Sequence, residues 1–201
     1  MTPVNNLLKQ IEESVRFVLV RTTHPGNIGA SARAMKNMGI KKMELVAPKD
    51  YPSETAIHRA KAAIDILKQA KIHQDLESTI SNAKLVIGTS ARNRKVPWPV
   101  VQPKEAAKEI VSLCLKGETN IAVVFGREDR GLTNEELGFC NLHVHIPATD
   151  EYPSLNLSQA VQILAYEIRL CALNNQGEVV KQEWDVPLAE NSEILNATNE
   201  K

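Results

Sequence analysis

Short apolar runs alternate along this chain with segments whose apolar positions recur every three or four residues. That alternation predicts an α/β architecture, a mostly parallel sheet flanked by helices. Residues 16–20, 43–46, 84–89, 120–125 and 143–146 read as strands, with Lys71–His73 a candidate extra edge strand. Helices are predicted over 27–38, 53–66, 76–81, Pro103–Leu115 and 134–139, and a long final helix begins near Leu157. In that last helix Val161, Leu164, Ala165, Ile168 and Ala172 keep helical spacing, so one face should be buried against the sheet or a second chain. Two helix ends carry their own chemistry. Thr133 followed by Glu136 matches a capping box, and Gly39 suits a left-handed C-terminal cap. Beyond Asn174 the apolar pattern fades. The expected organisation is a leader over 1–14, a domain over 15–173 and an extension over 174–201, loosely packed or partly disordered.

Composition narrows the partners. With 24 basic and 24 acidic side chains the chain is no polycation, so any nucleic acid must be held by a local patch. Cys114, Cys140 and Cys171 are odd in number, widely spaced and set in apolar periodic stretches, which suits reduced core thiols and a cytoplasmic setting. No apolar run approaches the roughly 18 residues of a membrane span, and 1–14 lacks the pattern of a signal peptide.

Three segments carry candidate chemistry. Phe125 to Leu132 follows a buried strand and packs Arg127, Glu128, Asp129 and Arg130 between Gly126 and Gly131, at the strand end where ligands gather in open α/β sheets. His24 to Arg33 runs from the first strand into a helix of small residues, with Asn27 at its start and Arg33 more than a turn later. Taken alone, Arg33 reads equally as a surface arginine. The pattern argues against a dinucleotide site and leaves an unrelated Rossmann enzyme a remote reading, because the GxGxxG spacing is missing and Val46-Ala47-Pro48 offers no ribose-binding acid. Tyr152 to Ala160 holds Ser154 and Asn156, of which Asn156 with Gln159 can cap the final helix. No GxSxG elbow marks a hydrolase. Arg92, Arg94 and Lys95 beside Trp98 form a basic and aromatic cluster suited to RNA, or else a solvated charge run, and Arg127 and Arg130 could extend it. His143 and His145 alternate with apolar residues and read as the outer face of a strand rather than as metal ligands.

Together, Asn27-Ile28-Gly29 with Arg33, Gly126-Arg127-Glu128 with Gly131, and Pro153-Ser154-Leu155-Asn156-Leu157-Ser158 resemble the three motifs of the SPOUT superfamily, in its TrmH-like branch of RNA ribose 2'-O-methyltransferases. Thr89-Ser90-Ala91-Arg92, Pro97-Trp98-Pro99 and Gly131-Leu132-Thr133-Asn134-Glu135-Glu136 look closest to the TrmJ-type enzymes, which act on nucleotide 32 of the tRNA anticodon loop. The resemblance implies a SPOUT fold with a C-terminal trefoil knot, which periodicity cannot suggest because threaded chains are exceptional. It implies S-adenosylmethionine held by Thr89, Ser90, Ala91, Gly126, Ile146, Ser154, Leu155 and Asn156, with tRNA as partner, a homodimer and no metal. It assigns catalysis to Arg33, Asn27, Ser154, Asn156 and Glu128. A guanidinium, with its pKa above about 12, is a poor base. Arg33 is therefore expected to stabilise the ribose oxyanion and grip a phosphate, held by Asn27 and Asn156, while a phosphate oxygen or water takes the proton. Glu128 is expected to order loops at the subunit contact. An rRNA ribose methyltransferase and a non-catalytic RNA-binding relative are the alternatives.

Overall fold

A computed structural model describes residues 3–91 and 99–175, with side chains from Asn6 onward. Seven strands, β1 (Val15–Val20), β2 (Lys42–Val46), β3 (Lys71–His73), β4 (Leu85–Thr89), β5 (Val100–Val101), β6 (Ile121–Phe125) and β7 (Leu142–Val144), form one sheet in the order β3-β2-β1-β6-β4-β7-β5. Every pairing among them is parallel. Helices α1 (Pro3–Ser14), α2 (Pro25–Met38), α3 (Glu54–Ala60), α4 (Ile64–Gln69), α6 (Pro103–Leu115) and α8 (Leu157–Asn175) accompany it, with the shorter α5 (Leu76–Ile80) and α7 (Asn134–Gly138).

The strands read as unbroken apolar runs because both faces of the sheet are covered. Phe17 and Leu19 of β1 face one core with Ile28 and Met35 of α2 and Val161 and Leu164 of α8. Val18 and Val20 face the other, with Leu76, Ile80 and Leu137. From β1 the chain adds β2 and β3 on one side, while β6, β4, β7 and β5 lie on the other. That reversal opens a crevice at the C-terminal ends of the central strands, the usual place for a ligand in such sheets.

Several expectations shift. The 1–14 leader contains helix α1, whose Leu7 and Ile11 are buried in the main core. The helix predicted over 53–66 breaks after Ala60, where Lys61 has φ +52° and a short 3-10 turn, Lys61–Ala63, intervenes before α4. β7 stops at Val144, two residues before the predicted end, so Ile146 lies in the following loop. His143 is not on an outer face: it is 2% exposed, with Nε2 3.1 Å from the Leu137 carbonyl, because α7 covers that side of β7. β5 was not predicted, since two residues are too few to show a period. The capping box at Thr133 forms, and Gly39 adopts φ +82° with its N–H donating to the Lys36 carbonyl. Cys114 and Cys140 are free buried thiols, pushed up by burial to about 11 and about 12. Arg92, Arg94, Lys95 and Trp98, and the extension from 176 onward, lie outside the described residues. Among those described, no helix is long and apolar enough to cross a membrane.

The register of α2 against α3 rests on a missing side chain. A Cβ built on Gly29 would stand 2.1 Å from the Ala56 carbonyl oxygen, a backbone atom that cannot swing aside. Gly29→Ala should therefore cost about 1–3 kcal/mol or more by overpacking, read by denaturant unfolding. Gly138→Ala, where nothing lies within 4 Å, should be neutral or mildly stabilising.

Candidate active site

Loops leaving the C-terminal ends of β4, β6 and β7 surround a cleft of about 360 Å³, within the range of small-molecule sites. Its wall includes Thr89, Ser90 and Ala91 after β4, Gly126 after β6, Ile146 after β7, and Ser154 and Leu155 ahead of α8. Seven of the eight residues expected to hold the cofactor thus share one cavity. Asn156, the eighth, is not in the wall.

The glycine loop is shaped by close backbone contacts. Gly131 has φ +68° and its N–H donates to the Arg127 carbonyl at 2.8 Å, folding the loop back on itself. A Cβ on Gly126 would lie 2.2 Å from the Gly131 carbonyl carbon, so only glycine admits this fold. Behind the loop, Thr89 Oγ1 donates to the Val124 carbonyl at 3.1 Å and Ser90 N–H to the Val144 carbonyl at 3.0 Å, fixing the other side of the cleft.

Glu128 joins this loop to the start of α2. Its Oε2 accepts from the Thr23 backbone N–H at 3.0 Å and the Thr23 hydroxyl at 2.9 Å. Its Oε1 accepts from the His24 N–H at 3.3 Å and Asn27 Nδ2 at 2.9 Å. Burial alone would raise this carboxyl, but the bonds from Asn27 and Thr23 outweigh it and hold the group below its ordinary value. Asn27 Oδ1 in turn accepts from Asn156 Nδ2 at 3.1 Å, and Asn156 Oδ1 accepts from the Ser158 N–H at 2.9 Å. Asn156 is thus the N-terminal cap expected for α8, with Gln159 Oε1 accepting from its backbone N–H at 3.3 Å. The expectation that Asn27 and Asn156 hold the Arg33 guanidinium is not met within one chain, because both amides are committed to each other, to Glu128 and to Ser158. The bonds of Glu128 are likewise internal to the chain. Thr23 had no signal in the sequence beyond a hydroxyl near a loop, and only the folded geometry shows its role.

Arg33 sits apart. It is exposed and lines a separate groove of about 410 Å³ with Lys36, Asn37 and residues 60–63. Ser154 is exposed at the cleft mouth. Arg127 is 19% exposed with Nη2 3.9 Å from Glu136, so it faces inward, while Arg130 is exposed beside Asp129. Among the described residues no group of His, Cys, Asp or Glu could hold a metal ion.

The profile of the SpoU rRNA Methylase family matches residues 14–166. The tRNA (cytidine/uridine/adenosine-2'-O-)-methyltransferase TrmJ of Pseudomonas aeruginosa is 47% identical over 186 residues, 92% of this chain and 72% of that protein. A probable methylase family protein from Haemophilus influenzae superposes with a TM-score of 0.78 at 37% identity, covering 93% of this chain and 76% of its own. TrmJ from Z. mobilis gives 0.72 at 34% identity, over 77% and 67%.

Because the folded carboxyl of Glu128 titrates below the ordinary 4.5, its contribution is complete above that value and is lost as pH falls through the lowered one. Glu128→Gln should cost about 1–2 kcal/mol near neutrality, a charge-assisted bond discounted for partial solvent screening. Unfolding measured across pH should show the difference from wild type flat above pH 5 and shrinking below 4.5.

Proposed function

This chain belongs to the SpoU rRNA methylase family, and from that premise we propose that it is an S-adenosylmethionine-dependent tRNA ribose 2'-O-methyltransferase, acting on cytidine or uridine at nucleotide 32 of the anticodon loop. One observation carries the reading: the motif-bearing loops after β6 and ahead of α8 meet around one cleft at the C-terminal ends of the central strands, and the third motif, at the start of α2, is tied to both through the bonds of Asn27 to Glu128 and Asn156. We take residues 15–173 as the catalytic domain, with its C-terminal part threaded as a trefoil knot.

The cleft residues fit an adenosyl group. Ile146, Leu155 and Val144 offer apolar walls for a flat base, and Ala91, Gly126 and Gly131 keep side-chain bulk out of its path. Ser154 at the mouth offers a hydroxyl to the methionine end or to RNA. When bound, S-adenosylmethionine supplies a methyl carbon made electrophilic by its sulfonium. The chain's own residues then have to align the ribose and support charge on its oxygen. Arg33 is suited to the second task, its planar fork stabilising the developing oxyanion while gripping an adjacent phosphate, and a phosphate oxygen or water takes the proton. Asn27, Asn156 and Glu128 act as positioning residues that hold the loops in register. Arg130, with Arg92, Arg94 and Lys95, is assigned to RNA, whereas Arg127, turned inward toward Glu136, is not.

Since Arg33 and the cleft share no lining residue, we propose a homodimer in which the Arg33 of one protomer completes the cleft of its partner. An isologous contact gives two equal sites.

Calorimetry with S-adenosylmethionine followed by methylation of unmodified tRNA, with mapping of the modified nucleotide, tests the reading. Arg33→Ala should lower kcat by about 10²- to 10³-fold with cofactor affinity within about 2-fold of wild type, and Arg33→Lys should also be poor. Near wild-type transfer by Arg33→Ala would remove Arg33 from the mechanism. Modified rRNA in place of tRNA would move the substrate assignment.

A further inference from the structure

The groove holding Arg33 has a second feature that the cleft chemistry does not use. Helix α3 ends at Ala60 and the chain turns sharply at Lys61, which adopts φ +52° and ψ −120°, a conformation that an L side chain rarely takes. Such strain persists only where its surroundings enforce it, and it clusters at ligand contacts. Lys36 reaches this turn from α2, with Nζ donating to the Ala62 carbonyl at 2.8 Å and to Asp65 at 2.7 Å. Lys36 is thereby paired with a carboxylate. Arg33 and Lys61, by contrast, have no carboxylate partner among the described residues. Arg59, also without one, faces the loop that opens α2, with Cγ 3.7 Å from where a Cβ on Gly26 would stand.

We propose that Lys61 is an RNA phosphate contact, and that the groove between α2 and the α3 turn, with Arg59 and Arg33 flanking it, carries the tRNA backbone toward the reacting ribose. The chain is neutral overall, so affinity for a polyanion must come from unpaired cations gathered in one place. Three such cations border the same helix pair. The strained turn gives Lys61 a fixed point of departure, which a mobile surface lysine lacks, and the groove volume of about 410 Å³ leaves room for a hydrated phosphodiester. Phosphate contacts of this kind position RNA without reading its bases. This inference rests on the RNA-methylating reading above and adds to it the path of the substrate.

Binding of unmodified tRNA across a salt series, measured on the full chain, tests it. Lys61→Glu should weaken affinity about tenfold or more. Lys61→Gly, which suits the positive φ better than lysine, should match or exceed wild-type thermal stability, yet lose affinity and lower the log–log salt slope by about 1. S-adenosylmethionine binding should be unchanged in both. If Lys61→Gly binds tRNA with wild-type affinity and slope, the inference is wrong even where Lys61→Glu is impaired, since the glutamate then acts only by repulsion. If wild type methylates tRNA and both variants bind it normally, the substrate path fails and the functional reading stands. If wild type binds S-adenosylmethionine but neither binds nor methylates RNA, the functional reading itself fails.

Discussion

The Glu128 carboxylate is the constraint on which the site depends. It accepts four hydrogen bonds from the segment Thr23 to Asn27, on both of its oxygens, and that saturation decides what it can do. A carboxylate so fully occupied, and held in its charged form, has no free lone pair with which to take a substrate proton or bind a metal. It works as a clamp between the end of β6 and the start of α2. From Asn27 the chain of bonds continues to Asn156 and the first turn of α8. Its polarity is fixed at both ends: a carboxylate can only accept, the Ser158 N–H can only donate, and so each amide between them has one permitted orientation. Flipping either Asn would set donor against donor or acceptor against acceptor.

That network matters because the cleft is built from loops. A loop site tends to lose geometry unless supporting contacts fix it. Here the support has two kinds, and they differ in how they fail. The glycine loop is held by backbone packing, where Gly126 lies within a Cβ's reach of Gly131 and any larger residue must push the chain apart. The other loops are held by polar bonds, where loss of one partner leaves the remaining groups to find water. The first kind tolerates almost no substitution, while the second can be weakened by degrees.

Much of this was legible in the sequence, for definable reasons. Strands buried on both faces announce themselves as continuous apolar runs, as Ile121 to Phe125 does, and a capping box such as Thr133 with Glu136 is local enough to be read directly. The cleft wall was legible only through the family resemblance, since nothing in the pattern of Ile146 or Leu155 distinguishes ligand wall from core. What stayed hidden is what depends on contact between distant residues. The partnership of Thr23 with Glu128 spans 105 positions. The break at Lys61 interrupts a segment whose periodicity argues for continuous helix, because α2 approaches α3 too closely through Gly29 for the pattern of α3 alone to reveal where it ends. His143 was misassigned for a similar reason: alternation suggests an outer face, but α7 covers it and the Leu137 carbonyl satisfies the ring.

The separation between the Arg33 groove and the cleft carries the remaining logic. Were the guanidinium bonded to Asn27 and Asn156, it would sit beside Glu128, and the strongest electrostatic contact at the site would be an internal ion pair. A paired cation stabilises a developing oxyanion poorly, because part of its field is already cancelled. With the asparagines directed to Glu128 and to each other, the carboxylate is satisfied by neutral donors, and Arg33 has no carboxylate partner among the described residues, as its proposed role requires. The same economy recurs in the groove, where Asp65 pairs with Lys36 and Arg33 and Lys61 have no carboxylate partner among the described residues. In a chain with no net charge, directing carboxylates to some donors and away from selected cations is how a local positive field is made.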